Sequence, residues 1–419
     1  MIRNRPCNSN SVLMPIKQIF FLILFCAGCI GCASFGRGIA EGIMASQSEP
    51  AECSIYSPGF SGLKKAFEDN KTLKVLNIHG IGEHLPGYSQ LFLNRLSDKL
   101  GLNVYASNVK EMDIGHVDYP ELNMGKLRVY KRYSTDGRTM YFYEYAWSNL
   151  TAPYKAELSY DLFDIAAEKR ASLNVSAKNF VNEVVPDAVI YMSTDHRRVI
   201  NGGVLTALCL MEVYDWDMLP DKQKVFCKED DRNQTAGAID KFSFAIISSS
   251  MGSLIAVDSL KWIIDIAHSL QITSFEDIHR HSRDIQLFML SNQTPLLSLG
   301  TKKPEIYGQI DRYCHPEGDR YNLRLLNALD IVAFSDPNDM LTYAIPQSFI
   351  NNYIDSRLCP NISNVIVNVT PVTNLLSAGK FANPLGAHLG YDRNEQVLDL
   401  IVNGVNGNTN NGCNWILTE

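Results

Sequence analysis

Short apolar runs alternate with amphipathic stretches along most of the chain. Residues 73–78 are mostly apolar and end at a glycine turn, which predicts a buried strand. Further runs of this kind lie at 242–247, 285–290, 326–334 and 365–369. Helical spacing of apolar residues predicts helices at 88–100, 253–270 and 393–402. Repeated strand–helix units favour a mainly parallel sheet with helices on both faces, so the predicted fold class is α/β.

Two features interrupt this alternation. The strand-like runs 127–133 and 139–147 flank Asp136-Gly137, a dipeptide typical of a β-hairpin turn. Residues 150–240 alternate helical and polar stretches and show no clear strand pattern. In a protein of alternating strands and helices, such a stretch predicts a largely helical insertion that acts as a lid or cap.

A short apolar segment near the N-terminus predicts export of the protein. Basic residues precede the segment 19–25, which is entirely apolar. This segment is too short to cross a bilayer, but it suits the hydrophobic core of a secretory signal peptide. We therefore predict a signal peptide over 1–32, a tether over 33–60 and the folded domain over 61–419.

The end of this signal resembles a bacterial lipobox, in which small residues precede a cysteine that is lipidated and becomes the first residue. Cys32 and Cys29 both follow small residues, so either is the predicted lipidation site, although neither has the usual Leu three places earlier. The alternative is plain signal-peptidase cleavage near Ala33 or Ala40. The resemblance implies an exported lipoprotein of the bacterial cell envelope, held at the membrane by an N-terminal lipid anchor.

Composition places the 419-residue chain among globular proteins, since 46% of its residues are hydrophobic and 20% are charged. The net charge of −7 and the lack of a long basic run give nucleic-acid binding no electrostatic support. In an oxidising compartment, the cysteines after Cys32 permit three disulfides with fifteen possible pairings. These cysteines are Cys53, Cys209, Cys227, Cys314, Cys359 and Cys413. Their spacing predicts no structural zinc site.

The stretch Ser248-Ser249-Ser250-Met251-Gly252 lies directly between a predicted strand and a predicted helix. A nucleophile elbow, G-x-S-x-G, requires this setting, because its turn is tight and the backbone of its serine is strained. Ser250 stands at the nucleophile position, where the N-terminus of a helix favours a developing oxyanion. Ser248 replaces the first glycine and is small enough for the turn. The alternative is an ordinary strand-to-helix loop with a capping serine.

A second glycine turn, His79-Gly80-Ile81-Gly82, follows the first predicted strand. Acyl transfer needs two backbone N–H groups directed at the oxyanion. One is predicted at Met251, directly after the nucleophile, and the other at Ile81. We expect His79 to hold this loop through hydrogen bonds of its side chain. The alternative is a plain glycine turn.

His388 is the predicted general base, because it lies between the last predicted strand and the last predicted helix. In α/β sheets this position brings a side chain to the carboxyl edge of the strands. The strand that ends at Phe334 leads to Asp336 and Asp339, and either could fix the tautomer of the base. The other aspartate would then cap a helix or form a turn.

The order Ser250, Asp339, His388 matches the order of the catalytic residues in α/β-hydrolases. Together with the two glycine turns, it makes the chain resemble the lipase and esterase side of this superfamily over roughly 73–404, with 150–240 poorly matched. The predicted fold is accordingly an α/β-hydrolase fold with a largely helical insertion.

Two local similarities refine the implied roles. The turn that begins at His79 resembles the oxyanion loop of bacterial lipases, which implies Ile81 as the donor. The stretch from Asp339 to Tyr343 is similar to the D-x-V-x-Y that follows the acid in some phospholipase-like members. This similarity favours Asp339 as the acid and leaves Asp336 as the alternative.

The resemblance implies a serine hydrolase that cleaves carboxylic esters, lipid or acyl esters in particular, through a Ser-His-Asp triad and an acyl-enzyme. It implies no metal or organic cofactor, and its expected partners are an ester substrate and the membrane, without nucleic acid. A peptidase or thioesterase with the same triad is one alternative, since a fold does not choose the leaving group. Another is a catalytically degraded hydrolase-fold lipoprotein that binds a lipid or protein partner, which the substitution at Ser248 favours.

Overall fold

A computed structural model describes most of the chain after residue 52. The described ranges are 53–103, 108–163, 169–227, 243–269, 284–375, 379–405 and 412–418. The predicted signal peptide over 1–32, with Cys29 and Cys32, lies outside these ranges. Among the described helices, none is both long and apolar enough to span a membrane.

Most strands of the described residues join one large sheet. In chain order the strands are β1 (Cys53–Tyr56), β2 (Phe60–Ser61), β3 (Thr72–Ile78), β4 (Val109–Gly115), β5 (Asn123–Tyr133), β6 (Thr139–Ala146), β7 (Gln223–Val225), β8 (Ser243–Ser249), β9 (Asp284–Leu290), β10 (Ala328–Ser335), β11 (Pro360–Val367), β12 (Thr373–Leu375), β13 (Gly379–Phe381), β14 (Gly404–Val405) and β15 (Asn414–Ile416). The large sheet has the order β15-β1-β11-β10-β9-β8-β3-β6-β5-β4-β7, and β2 with β14 and β12 with β13 form two small sheets.

The centre of the large sheet is parallel. From β11 through β10, β9, β8 and β3 to β6, each strand runs parallel to its neighbour. β5 pairs antiparallel with β6, which confirms the hairpin predicted around Asp136-Gly137. The chain leaves β3 toward β6 and later returns to β8 on the other side of β3. In open α/β sheets such a reversal leaves a crevice at the carboxyl ends of the strands, where ligands bind.

Helices cover both faces of the sheet. In chain order they are α1 (Leu63–Asp69), α2 (Gln90–Lys99), α3 (Ser148–Ala156), α4 (Tyr160–Phe163), α5 (Ser172–Met192), α6 (Thr194–Val213), α7 (Gly252–Ser269), α8 (Thr294–Leu297), α9 (Ile310–Cys314), α10 (Gln347–Tyr353), α11 (Pro384–Leu389) and α12 (Glu395–Asn403), with short 3₁₀ turns at Ser298–Gly300, Tyr321–Leu323, Ser356–Leu358 and Tyr391–Arg393.

Alternation along the strands divides the core between the two faces. In β3, Leu73 and Val75 belong to the same buried cluster as residues of α1, α2 and α12, whereas Leu76 and Ile78 belong to the cluster that includes residues of α6, α7 and α10. Successive side chains of a strand point to opposite faces, so a strand buried on both sides is apolar almost throughout. The structure thus confirms an α/β fold with a large, mostly parallel sheet.

Two predicted boundaries are wrong. β1 begins at Cys53 and pairs with β11, so the predicted tether over 33–60 includes part of the sheet; its residues up to 52 lie outside the described ranges. α6 lies on the sheet with Val204 fully buried, and β7 pairs with β4, so this part of 150–240 belongs to the core and not to a lid. The strand pattern of β7 went unrecognised because it is only three residues long.

Three disulfides join the six cysteines of the described residues. They link Cys53 to Cys413, Cys209 to Cys227, and Cys314 to Cys359. The number agrees with what the sequence permits, while the pairing could not be derived from it.

Candidate active site

The elbow between β8 and α7 holds Ser250 in a strained conformation. Its φ angle is +54°, in the left-handed region that residues other than glycine rarely adopt. Gly252 lets α7 approach the end of β3, since a Cβ there would lie 2.5 Å from the carbonyl oxygen of Ile78. Ser248 is fully buried, and its Oγ lies 3.2 Å from Oγ of Ser253. The turn therefore accommodates the serine that replaces the first elbow glycine.

Ser250, His388 and Asp339 are joined by hydrogen bonds. Oγ of Ser250 lies 3.2 Å from Nε2 of His388, and Nδ1 of His388 lies 3.0 and 2.9 Å from the two carboxylate oxygens of Asp339. Because a carboxylate only accepts, Nδ1 carries the proton, and Nε2 is left to accept the serine hydroxyl. His388 lies on α11, whose N-terminus is capped by Asn383. The structure thus brings the three predicted residues together in the arrangement that nucleophilic catalysis requires.

Asp336, the alternative acid, has different partners. Its carboxylate accepts the N–H groups of Asn338 and Val369, each at 2.7 Å. It therefore ties the loop after β10 to the segment after β11, whereas Asp339 lies beside the base. Position along the chain could not indicate which aspartate lies beside His388, but the hydrogen bonds show that it is Asp339.

Tyr391 is a site residue that the sequence analysis missed. Its hydroxyl donates to Oδ2 of Asp339 at 3.3 Å and accepts the N–H of Asp336 at 2.6 Å. Burial raises the pKa of Tyr391, so its hydroxyl stays protonated. The N–H of Leu341 also donates to Asp339, at 3.0 Å. These donors hold the carboxylate of Asp339 in place. In the sequence, the one indication of Tyr391 was its position three residues after His388.

The loop after β3 lies against Ser250. A Cβ on Gly80 would lie 2.5 Å from Cβ of Ser250, so only glycine permits this approach. Within the part of the chain that the structure describes, the backbone N–H groups of Ile81 and Met251 have no hydrogen-bond acceptor. Both are free to donate to an oxyanion formed at Ser250.

His79 holds this loop to the end of β6, as predicted. Its Nε2 accepts the N–H of Trp147 at 3.0 Å, and its Nδ1 donates to the carbonyl oxygen of Gly80 at 2.7 Å. Its ring stacks between those of His84 and Trp147, with centroids 4.2 and 4.8 Å away. Burial, together with the neighbouring His84, holds the pKa of His79 well below its ordinary value. The ring is therefore neutral and structural.

Ser250 and His388 line a cavity of about 540 Å³. This volume is within the range of sites that bind small molecules. Phe180 and Val184 reach this cavity from α5, so the helical insertion forms one of its walls. Its apolar lining includes Ile81, Phe92, Phe180, Val184, Leu290, Met340, Leu341, Leu385 and Leu389. An apolar cavity that ends at a nucleophile can hold an acyl chain with its carbonyl group at the serine.

A comparison with protein-family models, with curated proteins and with solved structures finds no match to this chain. Among the described residues, no group of three or more His, Cys, Asp or Glu side chains is arranged to hold a metal ion.

Proposed function

We propose that this chain is a serine hydrolase of the α/β-hydrolase type that cleaves carboxylic esters. The observation that carries the proposal is the hydrogen-bonded chain of Ser250, His388 and Asp339, together with the backbone N–H groups of Ile81 and Met251, which have no acceptor among the described residues. The position of these groups at the carboxyl edge of a parallel sheet, and their order along the chain, also support it.

In the proposed reaction, Nε2 of His388 takes the proton of Ser250 as Oγ attacks the ester carbonyl carbon. The N–H groups of Ile81 and Met251 donate to the resulting oxyanion, and each such donor contributes roughly 3 kcal/mol. His388 then gives its proton to the alcohol oxygen as the C–O bond breaks, which leaves an acyl-enzyme. Water attacks this intermediate with His388 as base, and the acid leaves while Ser250 regains its proton.

The proposed substrate is a lipid or other acyl ester. The apolar cavity at Ser250 supports this choice, because an acyl chain would bury its surface against Phe92, Phe180 and Leu290.

We also propose export and attachment to the bacterial cell envelope as a lipoprotein. The three disulfides support an oxidising compartment. A variant with both Cys29→Ser and Cys32→Ser should move from the membrane fraction to the soluble fraction. Retention of this variant in the membrane fraction would contradict a lipid anchor.

A fluorophosphonate probe tests the nucleophile directly. We expect the full-length protein, purified in detergent, to be labelled and to hydrolyse p-nitrophenyl esters. Ser250→Ala should abolish both signals, whereas Ser249→Ala, which removes the neighbouring hydroxyl, should still be labelled. A series of esters of increasing chain length then measures how the cavity selects the acyl group.

Two outcomes would count against the proposal. Full labelling of Ser250→Ala would exclude this serine as the nucleophile. Absence of labelling and of hydrolysis in the wild type would favour a hydrolase-fold protein that binds a lipid or protein partner without catalysis.

A further inference from the structure

The oxyanion loop, residues 79–84, depends on contacts from outside for its conformation. Gly82 has a φ angle of +100°, so its own backbone preferences do not fix the turn. Its N–H donates to Oδ2 of Asp187 at 2.7 Å, and Asp187 lies on α5 in the helical insertion. On the other side of Ile81, Gly80 lies so close to Ser250 that a Cβ on it would be 2.5 Å from Cβ of Ser250. Both neighbours of Ile81, the residue with the proposed oxyanion donor, are therefore held in place.

Asp187 is a fully buried carboxylate. Its cationic neighbour is Lys155 of α3, whose Nζ lies 3.4 Å from Oδ1 and 3.5 Å from Oδ2. Lys155 is itself buried, so it offsets the charge of Asp187 within the protein. A buried ion pair is seldom more stabilising than apolar side chains of similar volume. Among the described residues, the one short hydrogen bond that this carboxylate accepts comes from the Gly82 N–H of the loop. This bond is better suited to hold the loop in position than to add stability.

A second side-chain anchor of the loop comes from the first residue of α3. Oγ of Ser148 accepts the N–H of His84 at 3.2 Å and donates to its carbonyl oxygen at 2.8 Å. Asp187 differs because α5 carries it, and this helix exposes Val185 and Val189 to solvent. The loop therefore has one anchor on an element that also forms a wall of the cavity.

We infer that Asp187 is a positioning residue that sets the peptide after Ile81, so that the Ile81 N–H is directed at the oxyanion, with Lys155 offsetting its charge. The inference rests on the proposed ester hydrolysis at Ser250. A misplacement of about 1 Å at a reacting group can cost up to roughly 100-fold in rate.

Three variants of the full-length protein test the inference. Asp187→Leu removes the acceptor, and Asp187→Ala serves the same purpose if the leucine variant does not fold. The double variant Asp187→Asn with Lys155→Met removes both charges but keeps an acceptor for the Gly82 N–H. The matched control is Asp258→Leu, because Asp258 is also buried and ion-paired, with Arg197 at 2.6 Å between α6 and α7.

We expect Asp187→Leu to lower kcat per active site by roughly 10- to 100-fold, with KM changed by less than about threefold. Active sites are counted with the fluorophosphonate probe, so loss of folded protein does not enter the rate. Inhibition by a trifluoromethyl ketone, which forms an oxyanion adduct on serine, should weaken by the same factor as kcat/KM falls. The double variant and Asp258→Leu should stay within about threefold of the wild-type kcat.

An unchanged kcat per active site in Asp187→Leu or Asp187→Ala would overturn the inference and leave the proposed function intact. An equal loss in Asp258→Leu would also overturn it, because the effect would then be general to buried ion pairs. Absence of hydrolysis and of labelling in the wild type would instead reject the proposed function, and the inference with it.

Discussion

Asp336 and Asp339 lie three residues apart on one loop, yet their carboxylates have different surroundings. Asp339 contacts His388 and Tyr391, so its charge is directed at the imidazole. Asp336 accepts backbone N–H groups, among them that of Val369 from the neighbouring loop. The same residue type therefore contacts the imidazole of His388 at one position and holds two loops together at the other.

These surroundings predict that substitution of Asp339 lowers activity, whereas substitution of Asp336 lowers stability. Asp339→Asn should lower kcat by roughly 1,000- to 10,000-fold, because the amide no longer fixes the productive tautomer of His388. Asp336→Ala should lower the free energy of unfolding by about 1–3 kcal/mol, because backbone donors lose a charged acceptor. Ester hydrolysis per active site and urea unfolding measure the two effects separately.

The contrast between the two variants is what tests the assignment. Asp336→Ala should keep more than a tenth of the wild-type kcat per active site, and Asp339→Asn should unfold near the wild-type urea concentration. A larger loss of kcat in Asp336→Ala than in Asp339→Asn would contradict this assignment and favour Asp336 as the acid of the triad.

Helix α6 shows how one element can be predicted correctly as a helix and wrongly in its role. The lack of a clear strand pattern in 150–240 favoured an inserted lid, and the sequence did not indicate what α6 covers. In the structure α6 packs on β5 and β6, and Gly203 permits this contact. A Cβ on Gly203 would lie 2.2 Å from both the carbonyl oxygen of Met124 and the hydroxyl of Tyr145.

Two neighbouring glycines of α6 provide a test of this packing. Gly203→Ala should lower the free energy of unfolding by roughly 1–3 kcal/mol, because the helix must move away from the sheet. Gly202→Ala should leave it unchanged or raise it by up to about 1 kcal/mol, because alanine favours the helix. The added Cβ of Gly202→Ala meets only the flexible side chain of Met124, at 3.0 Å.

Urea unfolding of both variants measures the difference, and the shared helix makes each the control of the other. Equal effects of the two substitutions would mean that α6 does not contact the sheet as described. In that case the earlier prediction of a lid would regain support.

Outside the β5–β6 hairpin, the strands that the sequence predicted lie in the parallel centre of the sheet. β3, β8, β9, β10 and β11 each contain a nearly continuous apolar run, because helices cover both sides of the sheet there. The missed strands lie toward the edges. β4 carries Lys110, Glu111 and Asp113, and β7 is only three residues long, so neither shows a run of this kind. Edge strands face solvent, and their sequence resembles that of loops.

At the scale of the whole molecule, some long-range relations could be predicted and others could not. Ser250, Asp339 and His388 each follow a strand or precede a helix at the same edge, so their convergence follows from the rules of parallel sheets. The pairing of Cys53 with Cys413 follows from no such rule, because it depends on β1 and β15 lying side by side at one edge. Without that topology, fifteen pairings of the six cysteines were equivalent.

The disulfides are expected to differ in their contribution to stability. Cys53 and Cys413 are 360 residues apart in sequence, whereas Cys209 and Cys227 are 18 apart. A cross-link lowers the entropy of the unfolded chain more when it closes a longer loop, and loop-closure estimates give at most about 6 and about 3 kcal/mol for these two. Replacing Cys53 and Cys413 by Ala should therefore lower the free energy of unfolding more than replacing Cys209 and Cys227.

Guanidinium unfolding of the two double variants under oxidising conditions measures this order. A thiol assay of the denatured wild type should find no free thiol among the six cysteines, which establishes that all three bonds are formed before the comparison. If removal of the 18-residue link costs as much as removal of the 360-residue link, then β15 does not close the edge of the sheet in solution. The order of the two losses thus tests whether the ends of the folded domain are joined, which concerns the whole molecule and not the active site.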